Sequence, residues 1–348
     1  MQIRHNPSRR RTLVGLAGTG LAACTPFKSG EAAARAPILG AAEWAHGVDL
    51  PEPVQEIYPC AHRGRIHLAG GFVARDDAIT GPTARHWSWQ PGTAAWQQEV
   101  PLPVPRHHSQ LISFKNQLWA LGGFESPSAD SVWVMQPGSW FLDGDTWRDG
   151  PALPRPNGES VSAVIAERLH ICGGRQPFGA GNSRWQDHTD TSDHFVLDAP
   201  DATWTRAAPL PTPRNSAAAA MIDGLWHVVG GRTVAAGNTG AHNVFDPAED
   251  RWRPAAPMPQ GQAGLAAAVL GGCLYAFGGE FFDGEGGVFA ETWIYDPSTD
   301  EWTAGPPMPT PRHGIGAAVI DEVAHVLGGA EQVGGSQTSA AVETLSLR

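Results

Sequence analysis

Arg106, Arg214 and Arg312 each follow a proline, and each stands ten residues after a tryptophan: Trp96, Trp204 and Trp302. A guanidinium presents a planar fork of N–H donors, so three brought to one place would hold a carboxylate or a sulfate. At the same offset from Trp44, Trp147 and Trp252 stand Val54, Asn157 and Gln262, and the next positions add His107, His108, Glu159, Asn215 and His313. Glu280, Glu159 and His313 are of the types that move protons, the work of a general acid and base. A second group, Arg184, Trp185, Asp187 and His188, lies in one long polar stretch and sets a cation beside an aromatic platform. The net charge of -11 makes a cluster of arginines a local positive focus. It also argues against nucleic acid as a partner, because that needs a cationic surface.

What must position these residues is a repeat. Trp44, Trp96, Trp147, Trp204, Trp252 and Trp302 are each followed, 27 residues later, by the second glycine of a pair: Gly71, Gly123, Gly174, Gly231, Gly279 and Gly329. The period stays near 50, and its variation falls between each glycine pair and the next tryptophan, where a loop absorbs it. With 42 Gly, 30 Pro, 41% apolar and 17% charged residues, the chain reads as globular and rich in turns.

The glycine pairs, the turns "FDPAEDRW" (245–252) and "YDPSTDEW" (295–302), and "PMPTPR" (307–312) carry a resemblance. Over residues 38–348 the chain resembles the kelch-repeat β-propellers. That resemblance implies an all-β, six-bladed single domain of four-stranded antiparallel blades. In one copy "NSAAAAMI" is the inner strand, "LWHVVGG" the second and "HNVFDP" the third, with the tryptophan on the outer strand. The chain meets an outer strand first, at 41–45, and a third strand last, at 341–348, so the N-terminal strand is expected to complete the last blade and close the ring. The tryptophan fills the gap between blades, and the glycine pair lets a neighbouring backbone approach closely.

In such a ring the arginine positions surround one mouth of the central channel, and the loops between second and third strands rise on the same face. Two uses are then open to Arg106, Arg214 and Arg312, with His107 and Asn157 beside them. They form an anion site at the mouth, or they brace a neighbouring blade's carbonyls. The loop of residues 175–194, with Arg184 and Trp185, is likewise either a lid over the mouth or surface decoration.

His67, His170, His227 and His325 fill one repeat position, three residues before the first glycine, where other copies have Trp119 and Tyr275. One per blade, they do not cluster as zinc ligands must. Galactose oxidase also carries a kelch propeller, but its copper-radical chemistry needs a Tyr cross-linked to Cys, a second Tyr and two His. Of the three Tyr here, Tyr275 and Tyr295 occupy repeat positions and Tyr58 lies two residues from Cys60. No metal and no cofactor is expected. Cys60, Cys172 and Cys273 sit in or beside apolar runs and read as buried free thiols.

Residues 1–24 read as an export signal: Arg9, Arg10 and Arg11 precede an apolar run over 12–23 that is too short to span a bilayer. "SRRR" resembles the twin-arginine signal, and "LAAC" (21–24) resembles a lipoprotein box in which Cys24 takes the lipid. Residues 25–37 are then a linker. The expected product is a monomeric lipoprotein of the periplasm or outer surface, touching the membrane only through its lipid. It would bind a small acidic ligand or a glycan at the channel mouth. The resemblance admits two other readings. Bacterial six-bladed kelch propellers include the sialic acid mutarotases, isomerases of sugar anomers, for which Glu280 or Glu159 with His313 would supply the acid–base pair. A platform for envelope proteins would use the same face.

Overall fold

Each copy of the repeat folds into a four-stranded antiparallel sheet. The computed structural model describes residues 41–348, residue 77 excepted. The export signal, Cys24 and the linker lie outside the described residues. The fourth sheet shows the pattern, with Ala218–Ile222, Leu225–Val229, His242–Asp246 and Arg251–Pro254 paired in that order. Its inner strand is built of small residues, and its second strand buries Trp226, His227, Val228 and Val229 in succession, as a strand covered on both faces must.

The inner strands are Cys60–His62, Gln110–Phe114, Val161–Ile165, Ala218–Ile222, Ala266–Leu270 and Gly316–Ile320. Each touches the next, and the last touches the first. Six sheets ringed in this way are a six-bladed β-propeller. The sixth blade takes Gly316–Ile320, Val323–Leu327 and Val342–Leu347 from the C-terminal end of the chain. Its outer strand is Ala42–His46, which runs antiparallel to Val342–Leu347 with Ala42 opposite Leu347.

Three sets of contacts join neighbouring blades. Apolar side chains interleave: Trp226 of blade four packs with Val161, Ile165 and Cys172 of blade three. Burying one such tryptophan stabilises the ring by about 3 kcal/mol or more. Each repeat tryptophan also donates its indole N–H to the carbonyl four residues beyond the tryptophan of the preceding blade. The acceptors are Val48 for Trp96, Val100 for Trp147, Pro151 for Trp204, Ala208 for Trp252, Ala256 for Trp302 and Pro306 for Trp44. The last of these crosses between the two ends of the chain.

The third set uses the glycine pairs. The N–H of the second glycine donates to a carbonyl of the next blade: Gly71 to Arg106, Gly123 to Asn157, Gly174 to Arg214, Gly231 to Gln262, Gly279 to Arg312 and Gly329 to Val54. In five of the six blades a side chain on the first glycine would collide with the same carbonyl, and at Gly173 it would crowd it at 3.1 Å. A Cβ on Gly328 would lie 2.3 Å from the Val54 oxygen, and one on Gly122 would lie 2.5 Å from that of Asn157. Both glycines also take positive φ. Beyond the pairs of blades two to five the chain forms short hairpins, whose first residues are Phe124, Arg175, Arg232 and Glu280.

Candidate functional site

Arg106, Arg214 and Arg312 are not brought together as an anion site. All three are buried, and each guanidinium bonds groups of its own blade, backbone carbonyls foremost. Arg106 donates to Gly122 and Gly138 and pairs with Glu125. Arg214 donates to the carbonyls of Gly230, Thr212 and Val228 and to Asn243 Oδ1. Arg312 donates to Thr310, Gly328 and Ala341 and pairs with Glu343 at 2.8 Å. Asn157 does the same work through Nδ2 on Gly173, and Gln262 through Nε2 on Gly278. One position thus ties its own blade's first glycine through the side chain and the preceding blade's second glycine through the backbone. Burial works against the Arg214 cation and lowers its pKa to about 10.

The residues that converge stand two positions further along: Glu56, His108, Glu159, Ser216, Gly264 and Gly314. All six have φ between 50 and 66°. That left-handed turn aims one residue per blade at the axis, and their backbones bond head to tail. His108 N–H donates to Glu56 O at 3.0 Å, Glu56 to Gly314 at 2.8 Å, Gly314 to Gly264 at 2.9 Å, Gly264 to Ser216 at 3.0 Å and Ser216 to Glu159 at 3.1 Å.

Side chains close a ring on this run of backbone bonds. His108 Nε2 lies 2.7 Å from Glu56 Oε2, and Glu56 Oε1 lies 3.8 Å from His313 Nδ1. His313 Nδ1 faces Glu280 Oε2 at 3.3 Å, and Glu280 Oε1 pairs with Arg232 Nη1 at 2.7 Å. Arg232 Nε donates to Asn215 Oδ1, and the Ser216 hydroxyl stands 3.0 Å from both Asn215 Oδ1 and Glu159 Oε2. Glu159 Oε1, 3.8 Å from His108 Nε2, returns the ring to its start. All six blades contribute. Burial works against the Arg232 cation, but Glu159, Glu280 and Glu56 outweigh it and raise its pKa. Burial would raise the Glu56 carboxyl too, yet His108, His313 and Arg232 together hold it well below the usual range.

Proton roles follow from carbonyls, which only accept. His107 Nε2 donates to Val132 O, so its Nδ1 accepts from His108 Nδ1 at 2.7 Å. His108 Nδ1 therefore carries a proton, which it gives to His107, while its Nε2 faces Glu56. His107 is sandwiched between Phe72 and Phe124, and burial first, then His108, keeps its pKa far down. It is packing rather than ligand surface.

Beside the ring opens a cavity of about 1070 Å³ between the loops of blades four and five. Arg232, Asn238, Asp283 and Glu291 supply its polar wall, and Trp185, Phe281, Phe282 and Phe289 its aromatic one. Arg232 Nη2 has no hydrogen-bond partner among the described residues, and the guanidinium lies 5.5 Å from the Phe282 ring centroid. In the 175–194 loop, Trp185 begins a single turn that ends at Asp187, whose carboxylate accepts the N–H groups of Ser183 and Arg184. Arg184 is exposed, His188 is buried, and only Trp185 of this group reaches the cavity.

Three of the four histidines at the repeat position before the glycine pairs have a different role. His67 pairs with His86, His170 with His194 and His227 with His242, each at 2.9 Å between Nδ1 and Nε2. The outer histidines donate on to Val100, Ala208 and Ala256. Cys60, Cys172 and Cys273 are free thiols.

A family model described as the KLHDC2/KLHL20/DRC7 Kelch-repeats domain matches residues 59–279 and 152–329. The chain belongs to the kelch-repeat family. Its kelch relatives include Kelch repeat and BTB domain-containing protein 12 of Danio rerio, 26% identical over 47% of this chain and 28% of that one. Kelch-like protein 35 of Mus musculus is 35% identical over 40% of this chain and 22% of its own length. Kelch-like protein terF of Aspergillus terreus is 29% identical over 54% and 40%. The chain thus spans less than half of each of these relatives. The solved structure of YjhT superposes with a TM-score of 0.70 at 14% identity, covering 84% of this chain and 95% of that one, which speaks for the fold.

Three members of the side-chain ring escape a reading built on proline-arginine: Glu56, Ser216 and Arg232. Two signals point to them. One is the position twelve residues after each repeat tryptophan, and the other is the residue directly after each glycine pair, where Arg175, Arg232 and Glu280 stand.

Proposed function

We propose that this kelch protein is an exported, lipid-anchored receptor for a small acidic ligand, most simply an acidic sugar, bound in the cavity beside the axis. One observation carries the reading: Arg232, 12% exposed, stands in the cavity wall with Nη2 lacking a hydrogen-bond partner among the described residues while its other nitrogens are fixed by Glu280 and Asn215. A guanidinium held on two sides and free on a third offers a directed donor to a carboxylate at little entropic cost. Trp185, Phe281, Phe282 and Phe289 supply the apolar faces on which a sugar ring stacks.

The test is a calorimetric titration with D-glucuronate. Arg232→Gln should weaken binding by about 1.5 to 3 kcal/mol, the range for a hydrogen bond to a charged group. Unchanged affinity in that variant removes the reading. A second reading, a sugar mutarotase or epimerase, draws on His313 and Glu280 standing 3.3 Å apart next to Arg232. Both Glu280 oxygens are engaged, by Arg232 and by the Gly334 N–H, which favours binding over proton transfer. A third, the platform for an envelope protein, draws on the exposed Phe178 and Phe282.

A further inference from the structure

Beneath Trp185 lies a buried set of polar atoms without hydrogen bonds among the described residues. The Arg175 guanidinium stacks under the indole, 3.8 Å from the ring centroid, and Nη2 donates to the Trp185 carbonyl. Its Nε and Nη1 have no hydrogen-bond partner among the described residues, although the side chain is fully buried. Opposite stands Glu159 Oε1, also fully buried and also without a hydrogen-bond partner, 3.9 Å from Arg175 Nη1. Its other oxygen is taken by Ser216.

An unpaired guanidinium N–H and an unpaired carboxylate oxygen across such a gap ask for one group that accepts from the first and donates to the second. A hydroxyl does both. A carboxylate cannot, since it brings no proton to Glu159 and adds a negative charge beside it. We infer that Arg175 and Glu159 form a hydroxyl subsite, roofed by Trp185, next to the cavity where Arg232 takes the carboxylate. The inference rests on the acidic-ligand reading and narrows it: the ligand is a hydroxy acid, bound with Trp185 swung off Arg175. Arg175 and Arg232 then divide the ligand, one reading a hydroxyl and the other the charge.

Three probes separate the claims: D-glucuronate, cyclohexanecarboxylate and myo-inositol, titrated against the wild-type chain and Glu159→Gln. Glucuronate should bind at least about tenfold more tightly than cyclohexanecarboxylate, as a site built to bond a hydroxyl rejects a ligand lacking it. Glu159→Gln should erase most of that difference, the loss falling on glucuronate rather than on cyclohexanecarboxylate, with a melting curve run alongside to verify folding. Equal affinity of the two carboxylates for the wild-type chain overturns the hydroxyl subsite alone and is the result expected if a resident water fills the gap. That arm needs no variant. Failure of both carboxylates to bind overturns the acidic-ligand reading itself, and binding by inositol alone would do the same while keeping the hydroxyl subsite.

Discussion

Arg214 Nε donates to the Gly230 carbonyl at 2.8 Å, and the span of sixteen residues between them recurs in four other blades. Arg106 reaches Gly122, Asn157 reaches Gly173, Gln262 reaches Gly278 and Arg312 reaches Gly328. The first carbonyl of each of these glycine pairs points away from its own sheet ladder, and the slot side chain satisfies it. Blade one has Val54 at this position and lacks the bond through its side chain.

These bonds decide between the two uses open to the arginines. Arg214→Gln should lower stability by about 2 to 4 kcal/mol, because at least three of its four acceptors, most of them buried, lose their donor while a glutamine keeps one at most. Glucuronate binding should not change. Thermal melts with and without ligand check both halves. A variant as stable as the wild type but deficient in binding would restore the arginines to the site.

The glycine pair makes a complementary demand. Gly328 has φ of 55°, and a Cβ there would lie 2.3 Å from the Val54 oxygen. Backbone cannot yield that far without breaking the adjoining Gly329–Val54 hydrogen bond. Gly328→Ala should therefore cost about 3 kcal/mol or more and loosen blade six from blade one. Denaturant melts give the loss directly. Gly64→Ala is the control: it also has positive φ, but nothing lies within 4 Å of its Cβ, so it carries only the backbone term.

The propeller was legible because its determinants are periodic. A tryptophan and a glycine pair at a constant separation state both which strands exist and which carbonyls meet, and the structure adds only that the indole N–H is itself bonded across the gap. The candidate site was half legible. Glu159, Glu280 and His313 carry their chemistry in their residue types, whereas Arg175 and Arg232 follow glycine pairs and look like loop decoration. Arginine misleads here for a physical reason: the same fork that binds carboxylates also binds backbone carbonyls. Nothing in one sequence tells a buried guanidinium from an exposed one. The outer histidines were hidden for another reason, since each meets its partner across a strand pair rather than at a fixed spacing.

Export is testable without the propeller. If the twin-arginine route carries the chain, changing Arg9 and Arg10 together to Lys should leave it in the cytoplasm, because that route reads the arginines themselves. Cys24→Ser should move the exported protein from the membrane fraction to the soluble one. A Cys24→Ser protein still bound to membranes removes the lipid anchor. Normal export of the lysine variant assigns the general secretory route.

The three histidine pairs make the fold sensitive to acid. Burial, with the neighbouring histidine second, lowers His67, His170 and His227 to about 3. Burial lowers His86, His194 and His242 to about 4, against the pull of their bonds to carbonyls. Unfolded, each would titrate near about 6.5. Because the folded values are depressed, the unfolded chain binds protons first, so stability is full above about pH 6.5 and falls as the pH drops toward 4. Each histidine adds up to about 1.4 kcal/mol per pH unit in that window. Blade five shows how to remove two of them: it has Tyr275 and Thr292 where blade four has His227 and His242. The double change His227→Tyr with His242→Thr should flatten the acid slope by up to about 2.7 kcal/mol per unit between pH 6 and 4.5. Stability at pH 8 should change far less. Melting temperatures across that range measure the slope, and an unaltered acid slope in the double variant would show that the pairs are not what the acid attacks.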